Sequence, residues 1–81
     1  MLFVMVSTWE PSVAKEMTKR TTKGLQIPEG IEPIAHYTDI GGGRVFSVFE
    51  TDDPQAMATA AFMWSDLANQ EIVPVIEIFK G

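Results

Sequence analysis

One histidine and one serine of this chain are spaced so that a β-hairpin would bring them together. Two apolar-rich runs flank a central glycine cluster, a pattern typical of antiparallel strands joined by a short turn. Paired residues in such a hairpin have numbers that sum to a constant, so Tyr37 faces Phe46, His36 faces Ser47 and Ile34 faces Phe49. A bulge would shift this register by one. This register predicts one strand face that carries an imidazole and a hydroxyl among Ile34, Val45 and Phe49. That is the composition of a ligand pocket.

Two interpretations of His36 follow from this register. In the first, His36 is the catalytic candidate and acts as a general base or orients a substrate. In the second, it lies at a dimer interface and only satisfies its hydrogen bonds, with the backbone or with Ser47. The same register pairs Asp39 with Arg44 as an ion pair at the hairpin mouth, although Arg44 could instead bind a ligand carboxylate.

Aromatic residues supply the other candidates for a pocket wall. Trp9 ends the first predicted strand, Trp64 lies on the apolar side of the second predicted helix, and Tyr37 neighbours His36. Large aromatics at such positions either belong to the core or face an aromatic ligand. The candidate pocket around His36 therefore consists of Trp9, Tyr37, Arg44, Ser47 and Trp64.

Several classes of site are disfavoured. The chain has no cysteine and one histidine, so neither a thiolate nor a histidine-rich metal site can form within it, and we expect no metal and no cofactor. The glycine cluster lacks the third spaced glycine of a dinucleotide-binding turn. The net charge of −5 argues against nucleic-acid binding. Four basic residues nevertheless line one segment, either as a solvated helix face or as an anion site: Lys15, Lys19, Arg20 and Lys23.

The order of predicted elements is β-α-β-β-α-β in one domain spanning residues 1–81. The strands are predicted at 2–8, 33–39, 44–50 and 72–79, a helix at 11–23 ending at Gly24, a loop from Leu25 to Gly30, and a hairpin turn at 40–43. Two right-handed crossovers give a four-stranded antiparallel sheet of order 4-1-3-2 with both helices on one face, the ferredoxin-like α+β fold. Pro33 and Pro74 fall in the two edge strands of that order, where a missing donor is tolerated.

The second helix has a clear start and an apolar stripe. Asp53 can cap its free amides, and Pro54 needs no donor in the first turn. The stripe consists of Met57, Ala60, Ala61, Trp64 and Ala68, whereas Phe62 and Asp66 lie on the other side.

The strands are apolar on both faces, so the face of the sheet that the helices leave bare needs a cover. Hydrophobic residues make up 46% of an 81-residue chain that is too short to bury them well. We predict a homodimer with the two sheets face to face. The apolar run Leu2 to Val6 is too short for a signal peptide or a membrane span, so we expect a soluble, cytoplasmic protein without a membrane partner.

Six short motifs together resemble a family of short prokaryotic proteins, a domain of unknown function in the dimeric α+β barrel superfamily. The motifs are Thr8-Trp9-Glu10-Pro11, Leu25-Gln26-Ile27-Pro28-Glu29-Gly30, Asp39-Ile40-Gly41-Gly42-Gly43-Arg44, Glu50-Thr51-Asp52-Asp53-Pro54, Trp64-Ser65-Asp66-Leu67 and Ile72-Val73-Pro74-Val75. The resemblance implies the fold and the dimer but carries no established reaction, and the superfamily it points to contains both enzymes and ligand-sensing domains. Two hypotheses remain: a protein that binds or transforms a small apolar or aromatic molecule in a cavity near the sheet, and a non-catalytic interaction or regulatory module.

Overall fold

Four strands and two helices follow one another in the predicted order. The computed structural model describes residues 1–24 and 26–81, so Leu25 of the predicted loop lies outside the described residues. The elements are β1 Leu2–Thr8, a 3-10 turn Pro11–Val13, α1 Ala14–Thr22, β2 Glu32–Thr38, β3 Arg44–Glu50, α2 Pro54–Phe62 and β4 Asn69–Val75. The sheet has the order β2-β3-β1-β4 with antiparallel neighbours. This confirms the 4-1-3-2 ferredoxin-like prediction, including the edge positions of Pro33 and Pro74.

The first helical segment is shorter than predicted. Its first three residues, Pro11–Val13, form a 3-10 turn, and the α-helix begins at Ala14 because Val13 (φ −105°, ψ 5°) leaves the helical region. The predicted stop is confirmed, since Gly24 has a φ of +100°, a conformation that glycine adopts without steric cost.

The prediction of β4 at residues 72–79 is wrong at both ends. The strand runs from Asn69, opposite Thr8, to Val75, opposite Leu2. The length of its only neighbour, β1, therefore sets the limits of β4, and Ile76, Ile78 and Phe79 remain exposed despite their apolar character. A β-strand can extend only as far as a neighbouring strand is present to form backbone hydrogen bonds with it.

The hairpin register is confirmed near the turn and wrong at its far end. His36 pairs with Ser47 and Tyr37 with Phe46, and the Asp39 amide donates to the Arg44 carbonyl at 2.9 Å. Toward the start of β2 a bulge intervenes, so that Pro33 instead of Ile34 lies opposite Phe49. Pro33 cannot donate a ladder hydrogen bond, and bulges occur where such pairing is interrupted. Ile34 is left 54% exposed.

The packed core lies between α2 and the sheet. It consists of Phe3, Met5, Ile31, Phe49, Ala56, Met57 and Ala60, and within the described part of the chain it includes no residue of α1. The helix itself ends at Phe62, so Trp64 and Ala68 of the predicted stripe reach the interior from consecutive turns instead of from a helix. Phe62 is 78% exposed, as its position off the stripe predicts.

The cap at the start of α2 can be tested by substitution of Asp53. The Asp53 carboxylate accepts a hydrogen bond from the Gln55 amide at 3.0 Å, as predicted. We expect Asp53→Ala to lower the free energy of unfolding by about 1 kcal/mol in urea denaturation, because that amide loses its acceptor. Asp53→Asn should retain most of the stability, since the Asn side-chain oxygen still caps. Equal stability of wild type and Asp53→Ala would contradict the cap.

Candidate functional site

A cavity of about 420 Å³ lies between α1 and the sheet, beside the packed core. The strands contribute Met5, Ser7, His36, Thr38, Val45, Ser47 and Phe49; the helical segments and turns contribute Trp9, Ala14, Met17, Thr18, Thr21, Gln26, Ile27, Pro28, Gly42, Gly43, Ala60 and Trp64. The volume falls within the range of small-molecule sites.

The cavity has an apolar interior and a polar mouth. Met5, Met17, Phe49 and Ala60 are buried members of its lining. The exposed members come from α1, the loop after it, the hairpin turn and β2, where His36 and Thr38 project. Because β2 is an edge strand, the mouth lies between α1 and the edge of the sheet.

No lysine, arginine, aspartate or glutamate belongs to the cavity wall formed by residues 1–24 and 26–81. Its polar groups are hydroxyls, one amide, two indoles and one imidazole. A charged ligand would lose its hydration here without gaining an opposite fixed charge, which is costly in apolar surroundings. The lining therefore favours an uncharged molecule.

His36 and Ser47 form the polar pair of the cavity. The β2–β3 register places them opposite one another on the face that points toward the helices, and Ser47 Oγ lies 2.8 Å from His36 Nδ1. Ser47 is 2% exposed, whereas His36 is exposed at the mouth. The pair thus extends from the buried interior of the cavity, at Ser47, to its solvent-exposed mouth, at His36.

The hairpin turn shapes one end of the mouth. Gly42 and Gly43 both have a φ near +80°, and the Gly43 carbonyl accepts a hydrogen bond from the Trp9 amide at 3.0 Å. The Asp39 carboxylate accepts from the Gly41 amide at 2.8 Å and from Arg44. The Gly41 hydrogen bond, followed by the Arg44 contact, holds the pKa of the Asp39 carboxyl below its usual value.

An ion pair holds α1 against the turn that follows α2. The Arg20 guanidinium donates to both carboxylate oxygens of Asp66, at 2.8 and 2.7 Å, and to the Met63 carbonyl at 3.4 Å. It also lies 5.4 Å from the centre of the Trp64 ring, which lines the cavity. Bidentate geometry combined with a cation–π contact makes this pair more specific than an ordinary surface ion pair. Arg20 therefore braces both the helix and an indole wall of the cavity.

Four of the six predicted site residues line this cavity, and two do not. Trp9, His36, Ser47 and Trp64 come together there. Tyr37, which is 62% exposed, and Arg44 lie on the opposite face of the sheet.

The two misplaced candidates follow from strand alternation. Tyr37 directly follows His36, and Arg44 lies three residues before Ser47, so both side chains point away from the cavity. Arg44 forms the predicted ion pair with Asp39 at 3.0 Å, and its guanidinium lies 5.3 Å from the Phe46 ring centre. Ile34, expected on the pocket face, is also outside the lining because of the bulge.

The helical wall of the cavity is the part that the sequence analysis missed. Met17, Thr18 and Thr21 of α1 line the space. Met17 and Thr21, four residues apart, lie on one side of the helix, but this spacing does not distinguish a packed interface from a cavity wall. The lysines at 15, 19 and 23 are exposed, in agreement with a solvated face.

Two other features bear on the classes of protein considered above. Among the described residues, no group of three or more histidine, cysteine, aspartate or glutamate side chains could hold a metal ion. A search of the same residues finds no helix with the length and apolarity needed to cross a membrane.

The fold and the cavity define a ferredoxin-like α+β protein with a small-molecule-sized space between its sheet and its first helix. The chain belongs to the DUF3303 family, a domain of unknown function, whose family model matches residues 1–80. A search of curated proteins yields no match.

Among solved structures, the chain is similar to a proposed antibiotic biosynthesis monooxygenase from Deinococcus radiodurans. The TM-score is 0.54 with 12% sequence identity, and the alignment covers 99% of this chain and 97% of the other. At this identity the likeness establishes the fold alone.

The Arg20–Asp66 brace predicts a measurable pKa shift. Hydrogen bonds from Arg20 hold the pKa of the Asp66 carboxyl below its usual value. We expect Arg20→Gln to raise that pKa toward the usual value in a carboxyl-carbon NMR titration, whereas the neighbouring Lys19→Gln should leave it unchanged. Because the folded-state pKa is lowered, the stabilisation by Asp66 is present above the pKa of the unfolded chain. It is lost as the pH falls through the folded-state pKa. An Asp66 pKa that does not respond to Arg20→Gln would contradict the brace.

Proposed function

We propose that this protein binds a small, uncharged, apolar or aromatic molecule in the cavity beneath α1, with His36 and Ser47 as its polar centre. The observation that carries the proposal is a cavity of about 420 Å³ whose described lining is mostly apolar and includes the imidazole of His36 beside the hydroxyl of Ser47. A few placed polar groups in an otherwise apolar pocket are typical of small-molecule sites. Whether the bound molecule is then transformed is a separate question.

Transformation would depend on His36, because it is the residue of this lining suited to moving a proton near neutral pH. The name of the Deinococcus protein belongs to an oxidative enzyme, but a shared fold at 12% identity transfers no reaction to this chain. We therefore propose ligand binding as the function.

We further propose that one domain spans residues 1–81 and acts as a cytoplasmic homodimer with its sheets face to face. The support is the open sheet face, where Val4, Val6, Phe46 and Val48 are only half-buried in one chain. Val4 lies opposite Val48 and Val6 opposite Phe46, so these side chains form one apolar surface of the kind that marks protein–protein interfaces. A second copy would bury it.

A second candidate function is an interaction or regulatory module without a ligand. Phe62 favours it, since this residue is 78% exposed at the end of α2, on the side away from the core. An exposed aromatic at a helix end could contact another protein. This alternative explains neither the cavity nor the His36–Ser47 pair.

The ligand hypothesis can be tested with the two tryptophans of the chain, because Trp9 and Trp64 both line the cavity. We expect a library of small aromatic and keto compounds to contain ligands that change the tryptophan fluorescence. His36→Asn should weaken binding several-fold and leave the melting temperature nearly unchanged, since the exposed amide can still hydrogen-bond Ser47.

Tyr37→Phe is the matched control, because it alters the adjacent residue on the opposite sheet face. It should bind every ligand as the wild type does. If His36→Asn also binds every ligand normally, or if it unfolds, His36 is structural. If no compound binds the wild type, the interaction module becomes the better hypothesis.

The dimer predicts a mass twice the 9.0 kDa of one chain in light scattering at micromolar concentration. Val6→Lys should yield monomers, because it places a charge opposite Phe46 on the open face. Ala58→Lys, which adds the same charge on an exposed site of α2, should remain dimeric. High salt should not dissociate the wild type, since apolar burial is not screened. A monomeric wild type would overturn the proposed assembly.

A further inference from the structure

Three hydroxyl groups of the cavity wall donate their protons to other groups of the protein. Ser7 donates to the Gln70 side-chain oxygen at 2.6 Å, and Thr18 and Thr21 each donate to a carbonyl of their own helix at 3.0 Å. A hydroxyl carries one proton, so these three groups can accept a hydrogen bond from a ligand but have no proton left to donate.

The Ser47 hydroxyl is hydrogen-bonded to the imidazole of His36. Within the described part of the chain, its one hydrogen-bond partner is His36 Nδ1, at 2.8 Å. Ser47 is 2% exposed, and a buried hydroxyl that donates to nothing is costly. Of the two directions this hydrogen bond can take, donation by Ser47 leaves the buried hydroxyl proton with an acceptor. With Ser47 as the donor, Nδ1 accepts, and the single proton of the neutral imidazole resides on Nε2.

We infer that His36 offers its Nε2 proton to the ligand, and that the cavity selects molecules with a hydrogen-bond acceptor, such as an aromatic ketone. This inference rests on the proposed function and names the ligand class of that same site. It also assigns His36 a different role from a general base. The lone pair that a base would need is on Nδ1, and Ser47 occupies it.

An apolar molecule without an acceptor would be bound less well for a physical reason. In the free protein, the exposed imidazole can donate to water at the mouth. A ligand that extends to the mouth displaces this water, and the donor loses a hydrogen bond unless the ligand supplies an acceptor.

The tautomer can be measured without any ligand. His36 is the only histidine of the chain, so its two ring nitrogens need no assignment by mutation. In nitrogen-15 NMR at a pH where the imidazole is neutral, we expect Nδ1 in the unprotonated range and Nε2 in the protonated range. Ser47→Ala should shift the spectrum toward a mixture of tautomers. A protonated Nδ1 in the neutral wild-type ring would overturn the inference.

The preference for ligands with a hydrogen-bond acceptor can be measured with acetophenone and ethylbenzene. In acetophenone a carbonyl oxygen replaces two hydrogens of ethylbenzene. The quantity of interest is the ratio of their dissociation constants in the full chain. We expect the preference for acetophenone over ethylbenzene to be about fivefold stronger in the wild type than in His36→Phe. The phenylalanine side chain keeps an aromatic ring but lacks the Nε2 donor. Using the variant as reference cancels the intrinsic hydrophobicity of the two probes. Tyr37→Phe should show the wild-type ratio.

The outcomes separate this inference from the proposed function. If both probes bind but the ratio is the same in wild type and His36→Phe, the cavity is a ligand site and the acceptor preference is wrong. If neither probe binds and the library also contains no ligand, the proposed function fails. The nitrogen-15 spectrum then still determines whether His36 presents a donor.

Discussion

The mismatch between helix length and strand length is the constraint on which this structure depends. Each helix has nine residues and each strand seven. At about 1.5 Å per helical residue and about 3.3 Å per strand residue, a helix is roughly 14 Å long and a strand roughly 23 Å. Each helix therefore spans only part of the length of the strands beneath it. The chain packs one half of that face tightly beneath α2 and leaves a cavity beneath α1.

The side chains of the two helices reinforce this division between a packed core and a cavity. Alanine at positions 56 and 60 lets α2 approach the sheet closely, and Met57 fills the remaining space with 1% exposure. In α1 the corresponding side consists of Met17 and two threonines, and these line the cavity instead of filling it. Arg20 compensates for the missing core by bonding Asp66 and stacking on Trp64. The helix is thus held at its side by polar contacts, while the space below it stays open.

Sequence reasoning succeeds where a local rule determines the geometry. The glycine turn and strand alternation are enough to place His36 opposite Ser47. The same alternation excludes Tyr37 and Arg44 from the cavity, because it places both side chains on the opposite face of the sheet. The bulge beside Ile34 and the early end of β4 depend on the pairing strand, and no rule applied to one segment contains that information. The cavity depends on how two elements fail to fill a space, which only the tertiary arrangement reveals.

The most direct test of a ligand site beneath α1 is a carbon-13 methyl spectrum of methionine-labelled protein, recorded with and without a bound compound. Four of the five methionines report on distinct places in the structure. Met5 and Met17 line the cavity from the sheet and from α1, whereas Met57 lies in the sealed core and Met1 is exposed. We predict shifts and ligand contacts at Met5 and Met17 with Met57 and Met1 unchanged. Shifts confined to Met1, or none at any methionine while the compound binds, would contradict the account.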